Sequence, residues 1–176
     1  MPIYAFENKK PRIDDSAFIH PQAVIIGDVT IGPRCFIGPG AVLRGDFGAI
    51  EVGANTSIQD NAVVHVNENT LAKIGQGCII AHSAILHHPS IGAGVMVGMN
   101  SVILHASEIG DECMVASLSL LREGSVFPPR KLIAGNPARA VKDLGPGMID
   151  RVKRGAHLYA QLSERYQKGL VLLDTP

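Results

Sequence analysis

The chain has 176 residues, with sixteen Lys plus Arg against sixteen Asp plus Glu and a formal net charge of zero at pH 7. That length gives room for one domain with a core but not two, and the scattered basic residues offer no stripe to a phosphate backbone, which excludes nucleic acid as a partner. No apolar run approaches the roughly 18 residues of a membrane span, and residues 1–15 lack the apolar core of a leader, so a soluble, cytoplasmic protein with no membrane partner is expected.

Aliphatic residues recur at every sixth position. The register runs through Ile19, Ile25, Ile31, Ile37 and Leu43, resumes at Val52, Ile58 and Val64, then at Ile74, Ile80 and Leu86, and continues from Ile91 to Leu121. Four residues after each lies a second, mostly small set, and Phe47, Glu68 and Ser90 mark the breaks. A helix needs spacings of three and four, and a hairpin needs strict alternation, so six satisfies neither. It fits one short strand plus one corner. Three such units close a triangular coil, which stacks on the next at about 4.8 Å. The predicted fold class is therefore all-β, a parallel β-helix of hexapeptide repeats over residues 1–140.

Beyond Leu121, the Pro- and Gly-rich segment 122–139 predicts an irregular return loop. Residues 141–176 are expected to form a C-terminal loop and an α-helix within the same domain. Ile149, Val152, Ala156, Tyr159, Leu162 and Tyr166 follow helical spacing, with Gly169 placed to end the helix. Its apolar face needs cover, so it should lie along the β-helix, although an interior Gly155 costs about 1 kcal/mol relative to Ala.

The repeat decides how the cysteines and histidines are read. Cys35, Cys78 and Cys113 fall at the small position of one column with Thr56 and Val95 between them. That sets them about 9.6 Å apart, too far for a disulfide, and they read as buried packing residues. His65 and His87 each follow an aliphatic position on the same face, one coil apart, with Arg44 in the same column below. His82 lies on the preceding face, above Asp60, and points elsewhere. Two ligands thus converge within one chain and the third faces away, an arrangement that a threefold assembly resolves by lending His82 to a neighbour. Three histidines with an open water position is the ligand set of a catalytic zinc.

The motifs Leu43-Arg44-Gly45-Asp46, Ile58-Gln59-Asp60-Asn61, His65 and His82-Ser83-Ala84-Ile85-Leu86-His87 occur in the order found in the γ-class carbonic anhydrases of the hexapeptide-repeat superfamily. The chain most resembles the branch associated with phenylacetate and carnitine metabolism. The resemblance implies a left-handed coil, against the usual preference for right-handed crossovers. It also implies a homotrimer in which His65 and His87 of one subunit and His82 of the next bind zinc, iron or cobalt. Arg44 and Asp60 would pair between subunits, Asp46 would join that network, and Gln59 would hold the metal's water. The metal would lower the pKa of that water to about 7 for attack on CO2, giving bicarbonate. A tyrosine reaches the metal pocket in some members, which makes Tyr159 a candidate that packing explains equally well.

Two departures from the family stand out. Phe47 occupies the position of a water-ordering glutamate, and the loop that carries a proton-shuttle glutamate shrinks to Val66-Asn67-Glu68-Asn69-Thr70. Glu68 is either the shuttle or a solvated loop carboxylate, and weak hydration or another substrate is expected. One alternative is a thioesterase using the same metal on acyl-CoA; another is a non-catalytic trimeric metal-binding scaffold. Hexapeptide acyl transfer needs one general-base histidine beside a long protruding loop, and no such loop is legible. His20, His88, His105 and His157 match no ligand position and read as surface or packing residues.

Overall fold

The computed structural model describes residues 2–173. The period of six becomes a left-handed parallel β-helix of about 7 turns, with one C-terminal helix. Three parallel faces form the prism. The first stacks Phe18–Ile19, Phe36–Ile37, Ser57–Ile58, Ile79–Ile80, Met96–Val97 and Met114–Val115. Inside the second face, Ile25, Leu43, Val64, Leu86, Ile103 and Leu121 stack in register. Inside the third stand Ile13, Ile31, Val52, Ile74, Ile91, Ile109 and Phe127. Apart from Ile13, which is half-buried at the edge, these inward side chains fill the core almost without exposure, as strand side chains must when successive residues alternate between interior and exterior.

The small corner positions behave as their spacing implies. Cys35, Cys78 and Cys113 are buried and unpaired, and each thiol donates to a backbone carbonyl of the next coil: Gly53, Gly92 and Pro128. Burial pushes Cys35 up to about 11 and Cys78 up to about 12, so neither thiol ionises near neutral pH.

The expectation of an irregular loop over 122–139 is corrected. Phe127 and Ile133 continue the period of six beyond Leu121, in strands Val126–Phe127 and Lys131–Gly135. The last of these turns back on Ala138–Asp143 as an antiparallel pair that closes the upper edge of the first face. Pro128-Pro129 hides this continuation in the sequence; both prolines lie between strands, where the ladder asks for no N–H. The boundary expected at residue 140 falls inside that last strand, and residues 174–176 lie outside the described ones.

Helix α1 (Pro146–Gly169) opens with Pro in its first turn and ends where Gly169 was expected to stop it. It covers the outer side of the first face. Val152 and Ala156 pack on Ile79 and Met96, while Tyr159 and Tyr166 join Phe18 and Phe36 in an aromatic cluster. Gly155 has a packing reason for its place: a Cβ there would meet Ile79 Cδ1 at 2.9 Å. At its far end Ser163 accepts from the Phe18 N–H at 3.0 Å, and Gln167 donates to the Ala17 carbonyl at 3.0 Å. The helix is not long and apolar enough to cross a membrane.

Candidate metal centre

The outward residues of the three faces differ in chemistry. On the third face they are Thr30, Glu51, Lys73, Ser90 and Glu108, a mostly polar column that ends in an exposed Val126. On the second face they are Val24, Val42, Val63, Ile85, Val102 and Leu120, half-buried except for the exposed Ile85, and α1 lies on the first face instead. Ile85 is 45% exposed. One corner away, Leu118 and Met99 are exposed as well.

Beside that aliphatic column runs the predicted polar one. Arg44, His65 and His87 are register partners, as the face count requires. Gly45 sets the base of the column: a Cβ there would meet the Asp28 carbonyl at 2.5 Å, so only glycine fits between Arg44 and Asp46 at this point of the strand. Arg44 Nη1 donates to Asp46 Oδ2 at 2.6 Å, and Asp46 Oδ1 lies 3.0 Å from His65 Nε2. Burial would raise the Asp46 pKa, but the bonds from Arg44, His65 and the Phe47 N–H outweigh it and hold the carboxyl below its ordinary range.

His65 turns its other nitrogen, Nδ1, to His87 Nε2 at 3.2 Å. Two nitrogens bound at about 2.0–2.1 Å to one tetrahedral zinc stand about 3.3–3.4 Å apart, so the pair is spaced to share a metal ion, as it is to share a proton. Burial first, then the neighbouring His105, His65, His88 and Arg44, lower the His87 pKa below its ordinary value. Neutral imidazole is the form that ligates.

His82 stands on the corner after the first face, where the count put it. Its Nδ1 lies 2.7 Å from Asp60 Oδ2, and the two side chains are 43% and 40% exposed, against 14% and 15% for His65 and Asp46. One half of the predicted set is thus enclosed and the other looks outward. Gln59 and Tyr159 lie on the His82 side but are not exposed as His82 is. Gln59 is buried at 3% beneath α1. Burial, then the Asp60 charge, raise the Tyr159 pKa against the opposing hydrogen bond from Gln59. Within one chain Arg44 pairs with Asp46 and Asp60 with His82, not Arg44 with Asp60. Among the described residues of a single chain, no three ligand-type side chains converge.

His105 is the residue that the sequence reading missed. Its Nδ1 lies 2.6 Å from His87 Nδ1, with ring centroids 4.3 Å apart. Counting from the aliphatic positions pairs His87 with Leu104. However, Leu86 to Ile91 spans one residue fewer than Ile103 to Ile109, and both corners turn on a left-handed residue, His88 at φ 55° and Ala106 at φ 52°. The residues before those turns, His87 and His105, therefore meet. Aligning the corners across that register break would have revealed it.

Phe47 is 56% exposed, with its ring 5.7 Å from that of His65. Glu68 is exposed on its loop, which is tied down by an Asn69 N–H bond to the Phe47 carbonyl. A groove of about 830 Å³ on the opposite corner, between α1 and Arg34, Asn55 and Arg130, contains none of these residues. Its Arg130 and Lys153 are spent on Glu112.

Known proteins match this architecture and sequence closely. A model of the bacterial transferase hexapeptide, six repeats, matches residues 10–45 and 88–123. The carnitine operon protein CaiE of Proteus sp. is 40% identical over 171 residues, 97% of this chain and 87% of that one. The chain belongs to the hexapeptide-repeat family of CaiE. The CaiE of Escherichia coli O7:K1 is 44% identical over 97% of this chain and 87% of its own, so the carnitine-operon relationship expected from the motifs holds over nearly the whole length. Among solved structures, a hexapeptide transferase family protein from Anaplasma phagocytophilum aligns at TM-score 0.89 and 37% identity, covering 94% of this chain and 98% of that one. A proposed acetyltransferase from Bacillus cereus aligns at TM-score 0.92 and 30% identity, over 94% and 96%.

Proposed function

We propose that this CaiE-family protein is a metal-dependent lyase of the γ-class carbonic anhydrase type, hydrating CO2 to bicarbonate at centres shared between the subunits of a homotrimer. The observation that carries this reading is the 3.2 Å approach of His65 Nδ1 to His87 Nε2, beside an aliphatic face outside the cover of α1, against which a second copy can bring an outward-looking His82. Hexapeptide-repeat proteins typically form trimers, and a C3 arrangement meets the requirement that one surface cover a different one around a closed ring.

In this reading His65, His87 and the neighbour's His82 hold zinc, iron or cobalt; three imidazoles suit all of these. Such an ion supplies a Lewis acid that brings the pKa of water to about 7. Asp46, itself fixed by Arg44, holds His65 by Nε2 and so directs its Nδ1 at the site. Asp60 does the same for His82. Gln59 offers a buried amide to orient a water, with Tyr159 closing over it from α1. Phe47 walls the site with an apolar ring where a carboxylate would help move protons. Proton export falls to the exposed Glu68, so slow turnover is expected.

The test is an anaerobic preparation with its metal quantified and CO2 hydration assayed on the same sample. Tightly held metal near one ion per subunit together with measurable hydration is expected. Absence of any transition metal even after reconstitution would end the reading, and metal without turnover would leave a trimeric binding scaffold. A second reading, acyl transfer, is favoured by the similarity to the proposed acetyltransferase. It requires one histidine as general base and predicts acyl-CoA consumption by metal-stripped protein in the presence of an acceptor. Neither the relatives nor the geometry favours the thioesterase alternative.

A further inference from the structure

We propose that His105 is a positioning residue: it accepts the Nδ1 proton of His87 and thereby fixes His87 with its Nε2 lone pair aimed at the shared centre. The inference rests on the metal reading above. Each of the three candidate ligands has one ring nitrogen engaged by a neighbour. His65 uses Nε2 on Asp46 at 3.0 Å, His82 uses Nδ1 on Asp60 at 2.7 Å, and His87 uses Nδ1 on His105 at 2.6 Å. Ligating histidines depend on such a partner on the second nitrogen, which sets the tautomer and the ring orientation.

For two of the three the partner is a carboxylate, which can only accept when ionised. Among the described residues no carboxylate bonds to His87; its partner is an imidazole. Only one hydrogen can lie between two facing Nδ1 atoms. If His105 Nδ1 accepts it and His105 carries its own proton on Nε2, His87 is left bare at Nε2, the atom 3.2 Å from His65 Nδ1. The opposite assignment would put the His87 proton on Nε2 and block that atom. The ring packing supports a fixed geometry, with the His87 and His105 planes at 74°.

Three variants separate this role from mere packing. His105→Phe keeps a ring but no acceptor, His105→Ala removes both, and His105→Asn returns an acceptor near the Nδ1 position. Co2+ affinity of the purified trimer is measured by chelator competition, and the His87 tautomer by 15N imidazole NMR of the metal-free protein. Affinity should fall about 10- to 100-fold in His105→Phe and His105→Ala and return to within several-fold of wild type in His105→Asn, with the trimer intact. The Nδ1–H form of His87 should dominate in wild type and His105→Asn and be lost in His105→Phe. Wild-type affinity and an unchanged His87 tautomer in His105→Phe would overturn the proposal. If wild type binds no Co2+ while its tautomer responds to these variants, the metal reading fails and the His105 contact stands.

Discussion

Two faces of the same prism carry outward apolar side chains and treat them differently. On the first, Phe18, Phe36, Ile79 and Met96 lie under α1, the chain's own cover. On the second, the column from Val24 through Ile85 to Leu120 lies outside the cover of α1, and the enclosed histidines stand beside it. The third face is mostly polar in the corresponding positions, with Glu51, Lys73 and Glu108 exposed and a single apolar Val126 at its end. In the proposed reading the second face receives another copy, and the histidine site is completed by the same event that buries the aliphatic column.

The largest expected effect comes from putting a charge into the second-face column. Ile85→Asp should dissociate the assembly to the 18.7 kDa chain, because an unpaired carboxylate buried at the interface costs several kcal/mol. The fold, read by circular dichroism, should survive, since Ile85 makes no part of the interior. A trimer that persists by light scattering would break the contrast between the faces.

Ile79→Ala probes the face that α1 covers and should act the other way. It removes a side chain buried between coil and helix, at a cost of about 2–4 kcal/mol, and lowers the melting temperature without changing the oligomer or its metal content. A fall in mass as large as that of Ile85→Asp would mean that the two faces are not distinct in function.

The smallest effect concerns the clamp that joins α1 to the corner of the prism. Glu112 is held below its ordinary pKa of 4.5 by its hydrogen bonds from Lys153 of α1 and from Arg130. A carboxylate whose folded pKa is depressed adds stability above its unfolded pKa, and that contribution disappears as the pH falls through the folded value. Glu112→Gln should therefore lower the urea midpoint slightly at pH 7 and leave it unchanged well below the folded pKa. An equal loss at both pH values would show the effect to be packing rather than charge.

Much of this was legible because a period of six leaves little freedom. Inward and outward sets, the cysteine column, the His65–His87 stacking and the Asp60–His82 column follow from counting once the coil is recognised. What counting missed lies where the count is interrupted. Phe127 and Ile133 keep the period but are masked by Pro128-Pro129, and His105 meets His87 only because the coil at Leu86–Ile91 is one residue short. Arg44 and Asp46 share one side of their strand by simple alternation, so their contact accords with the network in which the motif placed Asp46.

The central claim is that each site draws His65 and His87 from one copy and His82 from the next, and subunit mixing tests it most directly. His65→Ala and His82→Ala proteins, each prepared alone, should hold no metal. When they are unfolded together and reassembled, each mixed trimer should regain one intact site, at the single junction where an unaltered His65–His87 pair meets an unaltered His82. Full metal content in His82→Ala alone, or none in the mixed trimers, would contradict the account.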